Sequence, residues 1–245
     1  AEAVEPPQAP DEAPPAPEGQ EQPDEGAPER RDLEAEAKSL AHQLCHLPKN
    51  PYCPICSEGK VKAKPARRRR EPVIEDEPQK WGDVLLADTF VLSELSIGVD
   101  GERFGLFVQD LATGMMGMFP IRKKSRTLVV CAFRDFYGRT SPLSLASDNA
   151  PELCSAAKFE KMLHLTSTPW RPTSNSIVER KMQLIADGTR TLLCQSGLSH
   201  QWWTYASKCF CMAMNTLSDG ENPSAWFLRH GAEFAGPKIP FGAEI

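Results

Sequence analysis

Apolar residues along this chain fall in short blocks, and the spacing inside each block separates strand from helix. The stretch "DVLLADTFVL" (83–92) opens on an uninterrupted apolar run, as a strand buried on both faces does. Asp100-Gly101 is a hairpin turn signal. "RFGLFVQDLA" (103–112) and "MMGMFPI" (115–121) follow it, giving three strands predicted to be antiparallel. Val129, Ala132, Phe133, Phe136 and Tyr137 then repeat at i, i+3, i+4, i+7 and i+8, the stripe of an amphipathic helix. "LSLAS" (143–147) predicts a fourth strand, a short helix is expected over about 154–163, and "LHLTSTP" (163–169) predicts a fifth strand. A long helix over about 174–196 carries Val178, Met182, Ile185, Thr189 and Leu192 on one stripe. A last helix, about 199–217, turns Trp203, Ala206, Phe210, Ala213 and Leu217 inward.

The first eighty residues read differently. Residues 1–30 carry eight prolines, many acids and almost no large apolar side chains, so they cannot bury enough surface to offset ordering entropy, and a disordered acidic leader is expected. "RDLEAEAKSLAHQLCH" (31–46) predicts a short helix with Leu33, Leu40 and Leu44 on a narrow stripe, ended by Pro48 and Pro51. His42 and His46, four apart, would share a helix face. Cys53 and Cys56 follow as C-x-x-C, and two His with two Cys are a tetrahedral zinc set. Cys45 is expected to point away from the histidine face. Lys60, Lys62, Lys64, Arg67, Arg68, Arg69 and Arg70 then form an acid-free run inside a 59–80 linker. That run reads as a solvated charge run, a DNA-backbone contact or a nuclear import signal.

Charge changes the picture more than composition does. Across 245 residues the hydrophobic content is 40% and the net charge −5. Residues 1–36 alone sum to −10, so the remainder is +5 and permits a nucleic-acid partner. The eight cysteines follow no signal peptide and suggest a reducing compartment. No apolar run reaches the roughly 18 residues of a membrane helix, so no membrane partner is expected. The chain begins with Ala, which suggests a fragment or a processed piece.

The element order β-β-β-α-β-α-β-α-α is that of the ribonuclease H-like fold: an α/β architecture with a mixed five-stranded sheet flanked by helices. In that topology the first and fourth strands are neighbours. Asp88 ends the apolar run of the first and Asp148 ends the fourth. Glu179 lies in the first turns of the long helix, one turn after Asn175. An Asp-Asn pair is also an ordinary turn signal. Three acids at one sheet edge repel one another unless a cation sits between them, and hard oxygen ligands suit Mg²⁺ or Mn²⁺. Asp110 reads as a structural residue at a strand end.

The sequence resembles the integrases of long-terminal-repeat retrotransposons and retroviruses, most closely the copia-like kind. "LLADTF" is similar to that family's first-Asp strand and "LASDNAPE" to its "TDNGxEF" turn. "PWRPTSNSIVERKMQLI" resembles "PYTPQQNGVAERKNRTL", and "NPSAWFLRHG" resembles "TPYELWHG". The likeness spans roughly residues 38–243. It implies that Asp88, Asp148 and Glu179 are the catalytic acids, with 59 and 30 residues between them, and that they hold Mg²⁺ or Mn²⁺. It implies trimming of the element's 3′ end by water, then attack of the freed 3′ hydroxyl on target DNA. DNA partners (element ends and target), a homo-oligomer, and a nuclear location with a cytoplasmic particle stage come with it. Arg180 and Lys181 are phosphate-contact candidates or plain surface charge; Asn175 joins them as a nucleic-acid candidate. Such integrases carry a His₂Cys₂ zinc module, here with a shorter loop of six residues between His46 and Cys53. The implied division is a 1–30 leader, a 31–58 zinc module, a 59–80 basic linker and an 81–245 catalytic core. Ala150 and Ser176 stand where the family has Gly. They motivate the rival reading of a degenerate nucleic-acid-binding protein without catalysis. A nuclease of the same fold is a third reading, disfavoured by the zinc set and by "NSIVERK".

Overall fold

The central apolar run forms β1 (Val84–Val91), and its side chains alternate between two cores. Leu85 and Ala87 face one, Leu86 the other, so both faces of the strand are buried. A computed structural model describes residues 31–59, 78–91, 96–138, 141–166, 172–218 and 220–243. The acidic leader, the basic run at 60–70 and the side chain of Asn175 lie outside the described residues.

β1 pairs antiparallel with β2 (Phe104–Asp110), and β2 pairs antiparallel with β3 (Met116–Ile121). On its other side β1 pairs parallel with β4 (Ser144–Ser147), which pairs parallel with β5 (Leu163–Thr166). The order is β3-β2-β1-β4-β5. Three antiparallel strands extended by two parallel ones is the ribonuclease H-like sheet, as the element order predicts. β3 is an edge strand and tolerates Pro120 there. Its free margin is capped by Asn215, whose amide accepts from Met116 N–H at 2.9 Å and donates to Met116 C=O at 2.7 Å.

Helices α4 (Arg126–Tyr137) and α5 (Pro151–Glu160) share a core with one face of the sheet. The five-residue stripe read from the sequence is buried throughout on α4. Its entry is fixed by Ser125, whose hydroxyl accepts from Leu128 N–H. α5 starts three residues earlier than the spacing predicts, because Pro151 is suited to the first helical position. The other face is covered by α6 (Pro172–Ser196) and α7 (Trp203–Thr216), through Val178, Ile185, Leu192, Ala206 and Phe210. A 3₁₀ turn at His200–Trp202 precedes α7 where a continuous helix is expected, and a short helix, α8 (Ala225–His230), is an element the sequence pattern misses. α6 and α7 approach closely at Gly188. A Cβ there would lie 2.2 Å from the ring of Phe210, which is itself fully buried.

The predicted 31–46 helix is instead two, α1 (Leu33–Lys38) and α2 (Leu40–Cys45). Ser39 divides them: its hydroxyl donates to Glu36 C=O and accepts from His42 N–H, serving both ends. α3 (Pro54–Gly59) follows and lies against α6, with Gly59 so near Thr191 that a Cβ would meet its Cα at 3.0 Å. Leu44 and Cys45 of α2 belong to the same core as α6 and α7. Residues Asp32–Ile245 thus form one compact unit. Asp110 is structural, as expected: fully buried, it accepts from Gly82 N–H at 2.9 Å and from Thr113 N–H and Oγ1–H at 2.8 Å each. Among the described residues, no helix is long and apolar enough to cross a membrane.

Candidate metal centre and carboxylate site

His42, His46, Cys53 and Cys56 are all buried, and their ligand atoms all lie within 4.8 Å of one another. The convergence is built locally. His46 is not on the helix that holds His42, as the four-residue spacing suggests, but is its C-cap, in the left-handed region at φ 53°. That turn sends the chain back across α2 and sets the two imidazoles edge to face, centroids 5.0 Å apart. Buried Asn50 then pins the connecting loop, donating to Leu33 C=O at 2.7 Å and accepting from Tyr52 N–H at 2.9 Å. Cys53 precedes α3 and Cys56 lies in its first turn, so one helix start aims both sulfurs inward.

The spacing fits zinc. With Zn–S about 2.3 Å and Zn–N about 2.0 Å, the N···S edge of a tetrahedron is about 3.5 Å. Cys53 Sγ lies 3.5 Å from His46 Nδ1, Cys56 Sγ 3.5 Å from His42 Nε2, and Cys56 Sγ 3.8 Å from His46 Nδ1. The far nitrogen of His46, Nε2, lies 2.8 Å from Gln195 Oε1 on α6. With Nε2 donating to that oxygen, Nδ1 keeps its lone pair for the cluster. Gln195 carries no local sequence signal, since it sits 149 residues from its partner. Cys45 stays outside the group and donates to Ala41 C=O.

The carboxylates lie at the far end of the same helix. The β1–β4 register pairs Leu85 with Leu145 and Leu86 with Ala146, so continuing it by two residues sets Asp148 beside Asp88. Both then belong to the face carrying Leu86 and Ala146, the face that α6 covers. Glu179 follows buried Val178 on α6 and is exposed; Asp148 is exposed too, and Asp88 is half-buried. The Asp88 pKa is raised above its ordinary value of 3.8 by burial, opposed by the Thr89 N–H it accepts; the charges of Asp148 and Glu179 raise it further and Lys124 lowers it. Asp148 Oδ1 also accepts from Ala150 N–H at 3.1 Å, so the residue does form the turn that its Asp-Asn sequence signals. Ala150 itself has an ordinary extended backbone, φ −60° and ψ 129°, which requires no glycine.

Among the described residues the His₂Cys₂ set is the group whose ligand atoms close on one point. Asp88, Asp148 and Glu179 stand around one edge without closing so tightly. Of the remaining candidates, Arg180 is exposed and Lys181 half-buried on α6. Lys124, close enough to act on Asp88, is missed by motif reading. It is visible in the sequence only as part of the "RKKSR" run after a predicted strand.

No protein-family model matches the chain, and no curated protein matches it in sequence. Among solved structures it is similar to the catalytic core domain of the HTLV-2 integrase, described in complex with magnesium in a trimeric form. The identity is 16% and the TM-score 0.47, over 61% of this chain and 97% of that one. It is similar also to the catalytic core domain of BIV integrase, at 16% identity and TM-score 0.46, over 59% of this chain and 91% of that one.

Proposed function

We propose that the protein is a retrotransposon integrase of the copia-like kind, carrying out divalent-metal-dependent 3′-end processing and DNA strand transfer. The observation that carries this reading is the strand register that sets Asp88 beside Asp148 on the face covered by α6, where Glu179 sits. In this reading Asp88, Asp148 and Glu179 hold Mg²⁺ or Mn²⁺, whose positive charge supports the attacking and leaving oxygens of an in-line phosphoryl displacement. The donors suit such an ion: three carboxylates, one of them half-buried and destabilised in its ionised form by the charges of the other two.

The chemistry balances without a further reactant. Water attacks a phosphodiester near the element's end, the 3′ oxygen leaves and takes a proton, and a free 3′ hydroxyl remains. That hydroxyl then attacks a target phosphodiester, forming one P–O bond as another breaks. Asp88 and Asp148 would hold the divalent ion, which would supply the positive charge that positions the phosphate, and Glu179 would complete the ligand set from α6. His42, His46, Cys53 and Cys56 hold a structural Zn²⁺ that ties α2 and α3 to one another. The working protein on this reading is a homo-oligomer acting on DNA in the nucleus after a cytoplasmic particle stage. Its parts are a leader at 1–30, a zinc module at 31–58, a basic linker at 59–80 and a catalytic core at 81–245. Arg67 to Arg70, Asn175, Arg180 and Lys181 contact nucleic acid.

The test is strand transfer from a labelled DNA end with Mg²⁺ or Mn²⁺. Asp148→Asn should abolish product while secondary structure and zinc content stay as in wild type; full activity in that variant would remove the assignment. A second reading, nucleic-acid binding without catalysis, is favoured by the turn bond from Asp148 to Ala150 N–H and by the loose grouping of the three acids. It expects DNA binding with no transfer by the wild-type chain in either metal.

A further inference from the structure

The loop after β3 carries Arg122, Lys123, Lys124 and, past Ser125, Arg126. Its place follows from the sheet. Ile121 pairs with Phe104 and Phe104 pairs with Val91, so the chain leaves β3 at the edge where β1 ends, the edge that also carries Asp88 and Asp148. From Leu111 to Arg134 the chain contains five Lys or Arg and no acid, so the field of this corner is positive in its own segment.

One member of the run is committed to structure. Lys124 Nζ lies 3.7 Å from Glu152 Oε1, in the first turn of α5 just after the Asp148 turn, and 5.7 Å from the centroid of the Phe104 ring. It ties the loop to the Asp148 turn, and its charge reaches Asp88. Arg126 is partly engaged as well, its guanidinium 5.3 Å from the Phe159 ring centroid. Arg122 and Lys123 are exposed, ahead of that anchor. A solvated charge run is the bland account of any such pair. What sets this pair apart is that its backbone is held at the edge where a phosphodiester would have to lie for the carboxylates to reach it.

We propose that Arg122 and Lys123 form a phosphate-backbone contact for duplex DNA, held against the carboxylate edge by the Lys124–Glu152 ion pair. The proposal rests on the strand-transfer reading for the choice of DNA. Arg122 supplies a planar fork for two phosphate oxygens and Lys123 a compact point charge. The contact is to the backbone and therefore positions the duplex without reading its sequence.

The experiment measures affinity of the full, zinc-loaded chain for a labelled blunt DNA duplex across a salt series. Arg122→Gln with Lys123→Gln should flatten log affinity against log salt by up to about 1.8, about 0.9 for each phosphate that is no longer neutralised. The charge-conserving pair Arg122→Lys with Lys123→Arg should keep the wild-type slope. If the double variant does not fold, the single Arg122→Gln variant reads the same effect at half size. An unchanged slope in a folded variant, or equal loss in the charge-conserving pair, overturns the proposal. Asp148→Asn, which leaves this surface intact, should keep the wild-type slope while losing strand transfer. If it keeps strand transfer, the catalytic reading falls, and the loop contact is still judged by its own slope.

Discussion

Replacing Gln195 by Leu removes one hydrogen-bond acceptor from α6 and little volume. Its partner, His46, is 2% exposed, so water does not readily replace the lost oxygen. A neutral imidazole carries one N–H, and the 2.8 Å contact at Nε2 favours the form whose Nδ1 lone pair faces Cys53 and Cys56. Without that acceptor the ring loses both its fixed tautomer and its fixed orientation. Outer-shell partners of this kind alter metal affinity about 10–100-fold, which is about 1.4–2.8 kcal/mol. Competition with a chromophoric chelator should therefore show zinc dissociating about 10–100 times more readily from Gln195→Leu. Gln195→Glu keeps an acceptor and should remain near wild type. Zinc affinity within about twofold of wild type in the Leu variant would refute the orienting role of Gln195, since about tenfold is the least that such a bond is expected to contribute.

Three further outcomes are expected. Gly188→Ala should lower stability in chemical denaturation by about 1–2 kcal/mol, because overpacking against the fully buried Phe210 ring outweighs the roughly 1 kcal/mol that Ala gains over Gly in a helix; a stabilised variant would mean the ring can give way. Asp88→Asn should raise Tm near neutral pH in magnesium-free buffer. The folded state holds the Asp88 proton more tightly than the unfolded state, so the penalty is fully present above the raised pKa and fades as pH falls through it toward 3.8. A variant no more stable than wild type at neutral pH would contradict this. Neutralising Arg67 to Arg70 should flatten the salt dependence of DNA affinity by up to about 0.9 for each phosphate those side chains had neutralised; an unchanged slope would leave the run as a linker or an import signal.

The sheet was legible in the sequence because each strand is specified locally. Buried β1 is a run of Leu and Ala, the hairpin has Asp100-Gly101, and the α4 stripe repeats without a break. The His₂Cys₂ group was legible because C-x-x-C after two histidines is unusual enough to stand out. What escaped was decided by single side chains or by distant ones. Ser39 splits a helix that propensity alone would continue, because its hydroxyl serves two helix ends at once. His46 leaves α2 for a left-handed cap, which spacing cannot reveal. α8 is six residues long, too short for periodicity to register. The packing of α2 and α3 on α6 depends on Thr191, Gln195 and Leu192, none of which announces a partner more than a hundred residues upstream.

The close approach at Gly188 has a mechanical meaning. Gly188 follows Glu179 by nine residues and precedes Gln195 by seven, about 13.5 Å and 10.5 Å along a helix rising 1.5 Å per residue. There the Phe210 ring of α7 seats directly on the backbone of α6, a contact that can serve the rod as a fulcrum. Tilting about that point moves the two ends in opposite senses, with a lever ratio of about 1.3 in favour of the Glu179 end. A tilt of α6 about that contact would therefore carry Glu179 and Gln195, the partner of His46, in opposite senses, so both ends of the rod answer to one packing contact.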